Sequence, residues 1–323
     1  MKVFITGSGL IGSFSAKRLI DLGHKVILFD KKPSRRYIKR ILDSVLPTIE
    51  VGDIRDVNNL TKLFQKHKPD CIVHTAAVLR NIFEKKPILS VSINTVGVAS
   101  VMLAAASAGV KRVILCSSLS VYDYSFQVKS ITENQPLKPN GLYDATKLSG
   151  EYIATSLANT HGIDLIVLRF ASIYGYGIFK GGAWLGKQLQ GIFLNLLANK
   201  SVTLEEKEFG SNEYVYVKDV SRAIEKSCFK NISGVNVFNI GSGKILSSID
   251  LVHILASVSS NNKIKLRVVK NSANMPDFIK RKYPFNLKKA KEALGYVPEF
   301  TFIKGMQDYK NYLVPIVNKT VRL

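Results

Sequence analysis

KVFITGSGLIGSFSAKRLIDLGHKVILFD, residues 2–30, is the stretch on which the fold turns. Within its first five residues Val3, Phe4 and Ile5 follow one another without polar alternation, the pattern of a strand covered on both faces. Glycines at 7, 9 and 12 follow, then a helical pattern from about Ile11 to Leu22, then a second apolar run, 24–30, ending on Asp30. Placed between a strand and a helix, GxGxxG has a mechanical meaning. Gly7 permits the tight turn, Gly9 lets the backbone approach a pyrophosphate, and Gly12 lets the helix pack on the sheet. The helix start, at Leu10 and Ile11, presents free N–H groups and the positive end of a dipole.

Asp30 lies where a carboxylate accepts hydrogen bonds from adenosine ribose hydroxyls and repels a 2′-phosphate, which favours NAD. Lys31 and Lys32 follow directly and keep NADP as an alternative.

Outward from this unit the rhythm continues. TIEVGD (48–53) reads as strand three, with Asp56 or Asn58 capping a helix that stops before Pro69. DCIVHTA (70–76), RVILCSS (112–118) and DLIVLRF (164–170) read as strands four to six, with helices expected at Asn94–Ala108 and Tyr143–Thr160. Apolar strands alternating with helices predict an α/β, doubly wound parallel sheet of the Rossmann type. Asp53 and Ile54, closing strand three, are placed toward the adenine.

After Ser172 the rhythm breaks. Glycines at 175, 177, 181, 182 and 186 lead into a helix at about 184–199 and an acidic loop, and the remainder reads as mainly helical and basic. The expected division is a dinucleotide-binding domain over 1–172 and a smaller, mainly helical C-terminal substrate lobe over 173–323. About 214–243 of that lobe, a strand end with its helix and then VNVFNIGSG, is expected to return to the first domain.

Tyr143 and Lys147 stand at i and i+4, so a phenol and an ammonium share one helix face. Ser117 and Ser118 end strand five at the carboxyl edge of the sheet, where ligands bind in this architecture. Such a set suits hydride transfer at an alcohol carbon, the phenol handling the hydroxyl proton. A tyrosine of ordinary pKa, about 10, needs a shift of roughly 3 units, about 4 kcal/mol, to serve as a base at neutrality. Lys147 and an oxidised nicotinamide both favour the phenolate.

With these residues in place the sequence resembles the extended short-chain dehydrogenase/reductases, the NAD-dependent epimerase/dehydratase family. TGSGLIG, LFD, GDIRD, IVHTAA, SINTVG, RVILCSSLSVYD, YDATKLSGE, LRFASIYGYG, EYVYVKDVSRA, FNIGSG and LKKAKEALGYVPEF occur in family order. The resemblance implies Tyr143 as general acid/base, Lys147 on the nicotinamide ribose and Ser118 as the hydroxyl on the substrate oxygen. It also implies that Ala76, Ala77 and Asn94 line or brace the cofactor cleft, and that the chain forms a homodimer through the helices holding Asn94 and Tyr143.

Three departures qualify it. Gly7 and Gly9 are two apart where the family usually has three. Leu119 and Ser120 replace the Asp-Glu of the 4,6-dehydratases, removing the acid and base of water elimination. Ser172 stands where nucleotide-sugar enzymes carry Asn, and Asn212 and Asn274 stand near their usual arginines, the bidentate phosphate holders. Lys180, Lys187, Arg281 and Lys282 are candidate substitutes.

The 323 residues include 46 Lys+Arg against 24 Asp+Glu, a net charge of +22. Residues 1–170 carry an excess of 10 and residues 171–323 an excess of 12, so the charge is spread along the chain. Clusters at Lys31, Lys32, Arg35, Arg36, Lys39 and Arg40, and at Lys280, Arg281 and Lys282, lack the patterns of an RNA-reading sheet or a zinc module. Nucleic acid is therefore disfavoured as a partner, and no metal site is expected. Cys71, Cys116 and Cys228 read as buried thiols of a reducing compartment. No signal peptide precedes the first strand, and the run Val98–Val110 is shorter than a membrane span; the reading is a cytoplasmic protein.

Three functions follow from these observations. The first is an NAD-dependent epimerase acting on a sugar, as a nucleotide sugar, through a keto intermediate. The second is an NAD(P)-dependent dehydrogenase or reductase giving net redox on a smaller alcohol or ketone. The third is a non-catalytic or nucleic-acid-binding Rossmann protein, for which only the charge speaks.

Overall fold

A computed structural model describes residues 1–43, 46–83, 85–177, 184–267 and 281–320. Lys180, Gly181, Gly182, Asn274 and Lys280 lie outside the described residues. The first half runs β1 (Lys2–Thr6), α1 (Leu10–Asp21), β2 (Lys25–Asp30), α2 (Arg35–Leu42), β3 (Thr48–Val51), α3 (Val57–His67), β4 (Cys71–His74), α4 (Arg80–Phe83), α5 (Pro87–Ser107), β5 (Arg112–Ser118), α6 (Leu142–His161) and β6 (Asp164–Phe170). Then follow β7 (Ser172–Tyr174), α7 (Trp184–Leu197), β8 (Val202–Glu205), α8 (Glu206–Phe209), β9 (Asn212–Tyr216), α9 (Val217–Phe229), β10 (Val235–Ile240), β11 (Ile245–Leu246), α10 (Ser248–Ser259), β12 (Ile264–Arg267), α11 (Lys288–Leu294) and α12 (Phe302–Thr320).

Seven strands form one sheet in the order β10-β6-β5-β4-β1-β2-β3, and every pairing in it is parallel. The fold is Rossmann-like, a doubly wound sheet with the strand order reversing between β1 and β4. Its strands are buried on both faces for the reason their sequences suggest. Val3, Ile5, Leu28, Val73, Ile114, Ile166 and Leu168 enter one core, and Phe4, Ile27, Ile72, Val113, Leu115, Leu165 and Val167 enter the other. A third core, built on Tyr174, Phe193, Tyr214, Tyr216, Phe302 and Leu313, fills the C-terminal lobe. There β7, β9 and β11 form a three-stranded sheet, and β8 pairs with β12.

Two helices differ from the sequence reading. Four residues of the cluster between β2 and β3, read only as positive charge, lie on the helix α2. Tyr37, Ile38, Ile41 and Leu42 line its buried face while Arg35, Arg36 and Lys39 are exposed, and Arg40 folds over the Tyr176 ring and donates to the Tyr312 carbonyl at 2.7 Å. The helix expected at Asn94 begins seven residues earlier, at Pro87, because proline is well placed at a helix start. At 21 residues α5 is long and apolar enough to cross a membrane by length and composition, unlike the short run considered above, and half of its apolar window is buried in the protein. Asp56, as expected, caps α3 by accepting the Asn59 N–H at 3.0 Å.

Candidate active site

The glycine loop separates what the protein requires from what a ligand requires. Gly7 has φ +88°, and a Cβ there would stand 2.7 Å from the Ala76 nitrogen and from Thr75 Oγ1. A Cβ on Gly12 would overlap the Gly7 carbonyl oxygen. Both glycines are therefore demanded by packing. Gly9 has an ordinary φ of −74°, and a Cβ there would meet nothing within 4 Å. The open space over Gly9 fits a pyrophosphate. The α1 start beside it, at Leu10 and Ile11, has no side-chain cap and no acidic residue in its first turn, so its N–H groups suit an anion.

Asp30 is held by this loop. Its Oδ2 accepts from the Ser8 N–H at 2.7 Å and the Ser8 hydroxyl at 2.8 Å, and its Oδ1 accepts from the Lys32 N–H at 2.9 Å. Asp53 is more fully committed. Its carboxylate takes Arg55 in a fork, at 2.9 and 2.7 Å, together with Lys31 at 2.9 Å. The Arg55 guanidinium foremost holds its carboxyl well below the usual range. Lys31, read as a possible 2′-phosphate partner, is thus paired with Asp53. Ile54 is buried in the core, and a Cβ on Gly97 would crowd its Cγ2 at 2.9 Å.

Asn94 ties the cleft wall together. Its Oδ1 accepts the Val78 N–H at 2.8 Å, and its Nδ2 donates to the Val78 carbonyl at 3.0 Å and to Thr146 Oγ1 at 3.1 Å. Ala76, Ala77, Asn94, Ser117, Thr146 and Lys147 line one small cavity. His74, at its floor, is bonded to Thr6 Oγ1 at 2.7 Å, and burial pushes its pKa down to about 3.

Tyr143 and Lys147 project from α6 toward the end of β5. Lys147 Nζ donates to the Cys116 carbonyl at 2.9 Å and lies 6.0 Å from the centre of the Tyr143 ring. Burial pushes the Tyr143 phenol up to about 12, and the neighbouring Ser118 hydroxyl is the largest opposing influence. Burial also lowers the Lys147 pKa. The expected shift of the phenol toward neutrality is not present in the protein by itself, because desolvation disfavours the phenolate and outweighs the nearby charges.

Ser118 and Ser117 part company. Ser118 Oγ accepts the Ser120 N–H at 3.2 Å and faces Tyr143. The Ser117 hydroxyl turns to Glu151. Glu151 is bound by Arg169 at 2.6 Å, and both side chains are about 5% exposed. Sequence reasoning missed this pair; the signal was polar residues at otherwise apolar strand and helix positions. It also missed Asp144, which is buried beside Tyr143 and paired with Arg80 at 2.6 Å.

In the lobe, Ser172 and Asn212 meet: the serine hydroxyl donates to Asn212 Oδ1 at 3.0 Å. Lys187 is exposed on α7, whereas Arg281 is buried over the Tyr124 ring, 4.4 Å from its centre. Among the described residues no group of three His, Cys, Asp or Glu is placed to hold a metal ion.

A family model described as NAD dependent epimerase/dehydratase matches residues 3–241. The chain belongs to that family. It is an enzyme of this family, and its cofactor is NAD. Among curated members, the low-salt glycan biosynthesis protein Agl12 of Haloferax volcanii is 29% identical, over 97% of this chain and 98% of the relative. The UDP-glucose 4-epimerase of Corynebacterium glutamicum is 27% identical, over 94% of this chain and 93% of the relative. Among solved structures, the Thermotoga maritima UDP-glucose 4-epimerase with UDP-glucose superposes with a TM-score of 0.83 at 25% identity, covering 99% of this chain and 100% of that one. The epimerase/dehydratase family thus accounts for the fold throughout, the C-terminal lobe included.

Proposed function

We propose that this protein is an NAD-dependent epimerase of a nucleotide sugar, working through a transient keto intermediate. The carrying observation is the convergence of Ser118, Tyr143 and Lys147 at the carboxyl edge of the sheet, beside the cleft opened by Gly9. Relatives named for UDP-glucose epimerisation support the substrate class. Residues 1–172 serve the cofactor and 173–323 the substrate, with 214–243 returning to the first domain.

NAD, when bound, accepts and returns hydride at one sugar carbon. The chain manages everything else. Gly7, Gly9, Leu10, Ile11 and Gly12 cradle the pyrophosphate, Asp30 takes the adenosine ribose, and Asp53 and Ile54 flank the adenine. Ala76, Ala77, Asn94 and Ser117 wall the nicotinamide end. Lys147 spends one N–H on Cys116 and keeps two for a ribose. Tyr143 Oη removes the substrate hydroxyl proton and later restores it, while Ser118 orients the same oxygen. Because the phenol is held near 12 by burial, its conversion to phenolate depends on cationic charge brought in beside Lys147. Ser172 and Asn212 line the sugar-nucleotide side.

The exposed apolar residues Ile88, Leu89, Val96 and Leu103 on α5 and Tyr152 on α6 support a homodimer. Three buried free thiols support a cytoplasmic setting. The second reading, net oxidation or reduction of a smaller alcohol or ketone, is favoured by one observation. The expected arginine position at Asn212 holds an amide that bonds Ser172.

Turnover of UDP-glucose with flat absorbance at 340 nm and co-purified NAD is the expected result. Steady NADH formation would shift the assignment to a dehydrogenase. Tyr143→Phe should lower turnover by about 10²–10⁴-fold with NAD retained; unchanged turnover would sink the mechanism.

A further inference from the structure

Two carboxylates are buried on α6, Asp144 at 2% exposure and Glu151 at 5%. They bracket the reacting pair, since Asp144 follows Tyr143 directly and Glu151 lies one turn beyond Lys147. Each is met by an arginine from another element. Arg169, on β6, binds Glu151 inside the core, and its side chain is 5% exposed. Arg80, on α4, donates to Asp144 Oδ1 at 2.6 Å, and its side chain is 38% exposed. The Arg80 pair thus reaches from solvent to the buried turn that carries the phenol.

An acidic residue in a first helical turn ordinarily complements the helix dipole, and an exposed carboxylate does that. Asp144 is closed to water instead, which is costly unless the charge is paired. The segment that supplies its partner is held from two sides. Asn94 takes both backbone groups of Val78, two residues before Arg80, at 2.8 and 3.0 Å. Phe83, at the other end of α4, is buried with its ring 5.9 Å from that of Tyr143 and steeply inclined to it, at 80°. The Arg80 guanidinium carbon lies 5.9 Å from the centre of the same Tyr143 ring. One short helix therefore packs on the phenol ring and pairs the carboxylate beside it.

The groups that face the phenol are Ser118 and Cys116 of β5, Asp144 and Lys147 of α6, and Arg80 of α4. Asp144 opposes the phenolate and Arg80 favours it. Asp144 also acts on Tyr124 and Arg281. A charge at about 4–6 Å moves a titration by about 1–3 pH units, so the balance between Asp144 and Arg80 bears on whether Tyr143 can take a proton.

We propose that Arg80 is a positioning residue for Tyr143: it seats the Asp144 carboxylate at the turn that carries the phenol and offsets its charge, leaving the phenol free to ionise during hydride transfer. This rests on the role given to Tyr143 in the reading above.

The tyrosinate ultraviolet band of the NAD-containing protein tests it, titrated with pH in each variant and in the same variant carrying Tyr143→Phe, so that the difference isolates this phenol. Arg80→Met leaves the carboxylate unbalanced and should move ionisation to higher pH by about one unit, an about tenfold lower phenolate fraction at fixed pH. Asp144→Asn leaves the guanidinium unbalanced and should move it to lower pH by about the same amount. Arg80→Lys, and Arg80→Met combined with Asp144→Asn, should each return it close to the parent. Opposed shifts that cancel in the double variant are a signature that a packing role does not produce. Curves that superimpose on the parent, or single variants that shift in the same direction, overturn the proposal. Should Arg80→Met fail to fold, Asp144→Asn carries the test, and an unmoved or upward shift overturns the proposal. Ordered shifts in a protein that does not act on UDP-glucose uphold the charge balance and fail the nucleotide-sugar reading alone.

Discussion

The proposed cofactor side and the proposed substrate side of the cleft handle buried polarity in opposite ways. On the cofactor side the protein pairs its own charges: Asp30 with Ser8, Asp53 with Arg55 and Lys31, Glu151 with Arg169. On the proposed substrate side Ser172 and Asn212 satisfy each other, and Arg281 Nε and Nη1 have no hydrogen-bond partner among the described residues. The first region is arranged before any ligand arrives, which lowers the ordering cost of binding a dinucleotide. The second leaves a buried guanidinium without that pairing among the described residues.

The comparison can be broken at its most expensive point. Arg169→Met strips Glu151 of its counter-ion in a site that is nearly closed to water. A loss of about 3–5 kcal/mol is expected in denaturant unfolding; a loss no larger than that of a surface pair would mean that the prepaid side is not held by this network.

The glycine loop sharpens the same contrast. Gly12→Ala, whose Cβ would overlap the Gly7 carbonyl, should destabilise the fold by about 2–3 kcal/mol. Gly9→Ala meets no protein atom within 4 Å, so its melting temperature should stay at or above that of the parent while NAD content falls. Equal destabilisation by the two substitutions would remove the distinction between packing glycine and ligand glycine.

A smaller effect concerns protons. Burial holds Tyr143 near 12, so the phenolate fraction in the ligand-free protein grows about tenfold per pH unit up to that value. The rate of the oxidative half-reaction should therefore rise with pH. Lys147→Met should move that rise to higher pH by about one unit, roughly 1.4 kcal/mol, with NAD-loaded stopped-flow measurements as the check. An unmoved profile would assign Lys147 to ribose binding alone.

The least effect is expected in the lobe. Ser172→Ala removes one hydrogen bond to Asn212 and should cost about 0.5–1.5 kcal/mol, read by thermal unfolding.

The sheet was legible because its strands are apolar on both faces. KVFIT, RVILCSS and DLIVLRF match β1, β5 and β6 to the residue. The helix α2 was not legible as a helix, because it is only eight residues long, four of them cationic, and its apolar face is confined to Tyr37, Ile38, Ile41 and Leu42. The site was legible where spacing within one element places the groups, as for Gly7, Gly9 and Gly12 or Tyr143 and Lys147. Asp144–Arg80 and Glu151–Ser117 were not, since each joins residues 64 or 34 positions apart and no local pattern encodes such a pairing.

By itself the sequence determined the family, the sheet and the position of the dinucleotide turn, because periodicity and glycine placement act over a few residues of backbone. Only the tertiary structure decided which charges are spent and which remain open. Of the described cations that the sequence offered as anion holders, Lys187 and Lys282 are exposed and Arg281 is buried over Tyr124. Electrostatic pairing depends on distance and burial, and both are set by chain segments that the sequence does not place side by side.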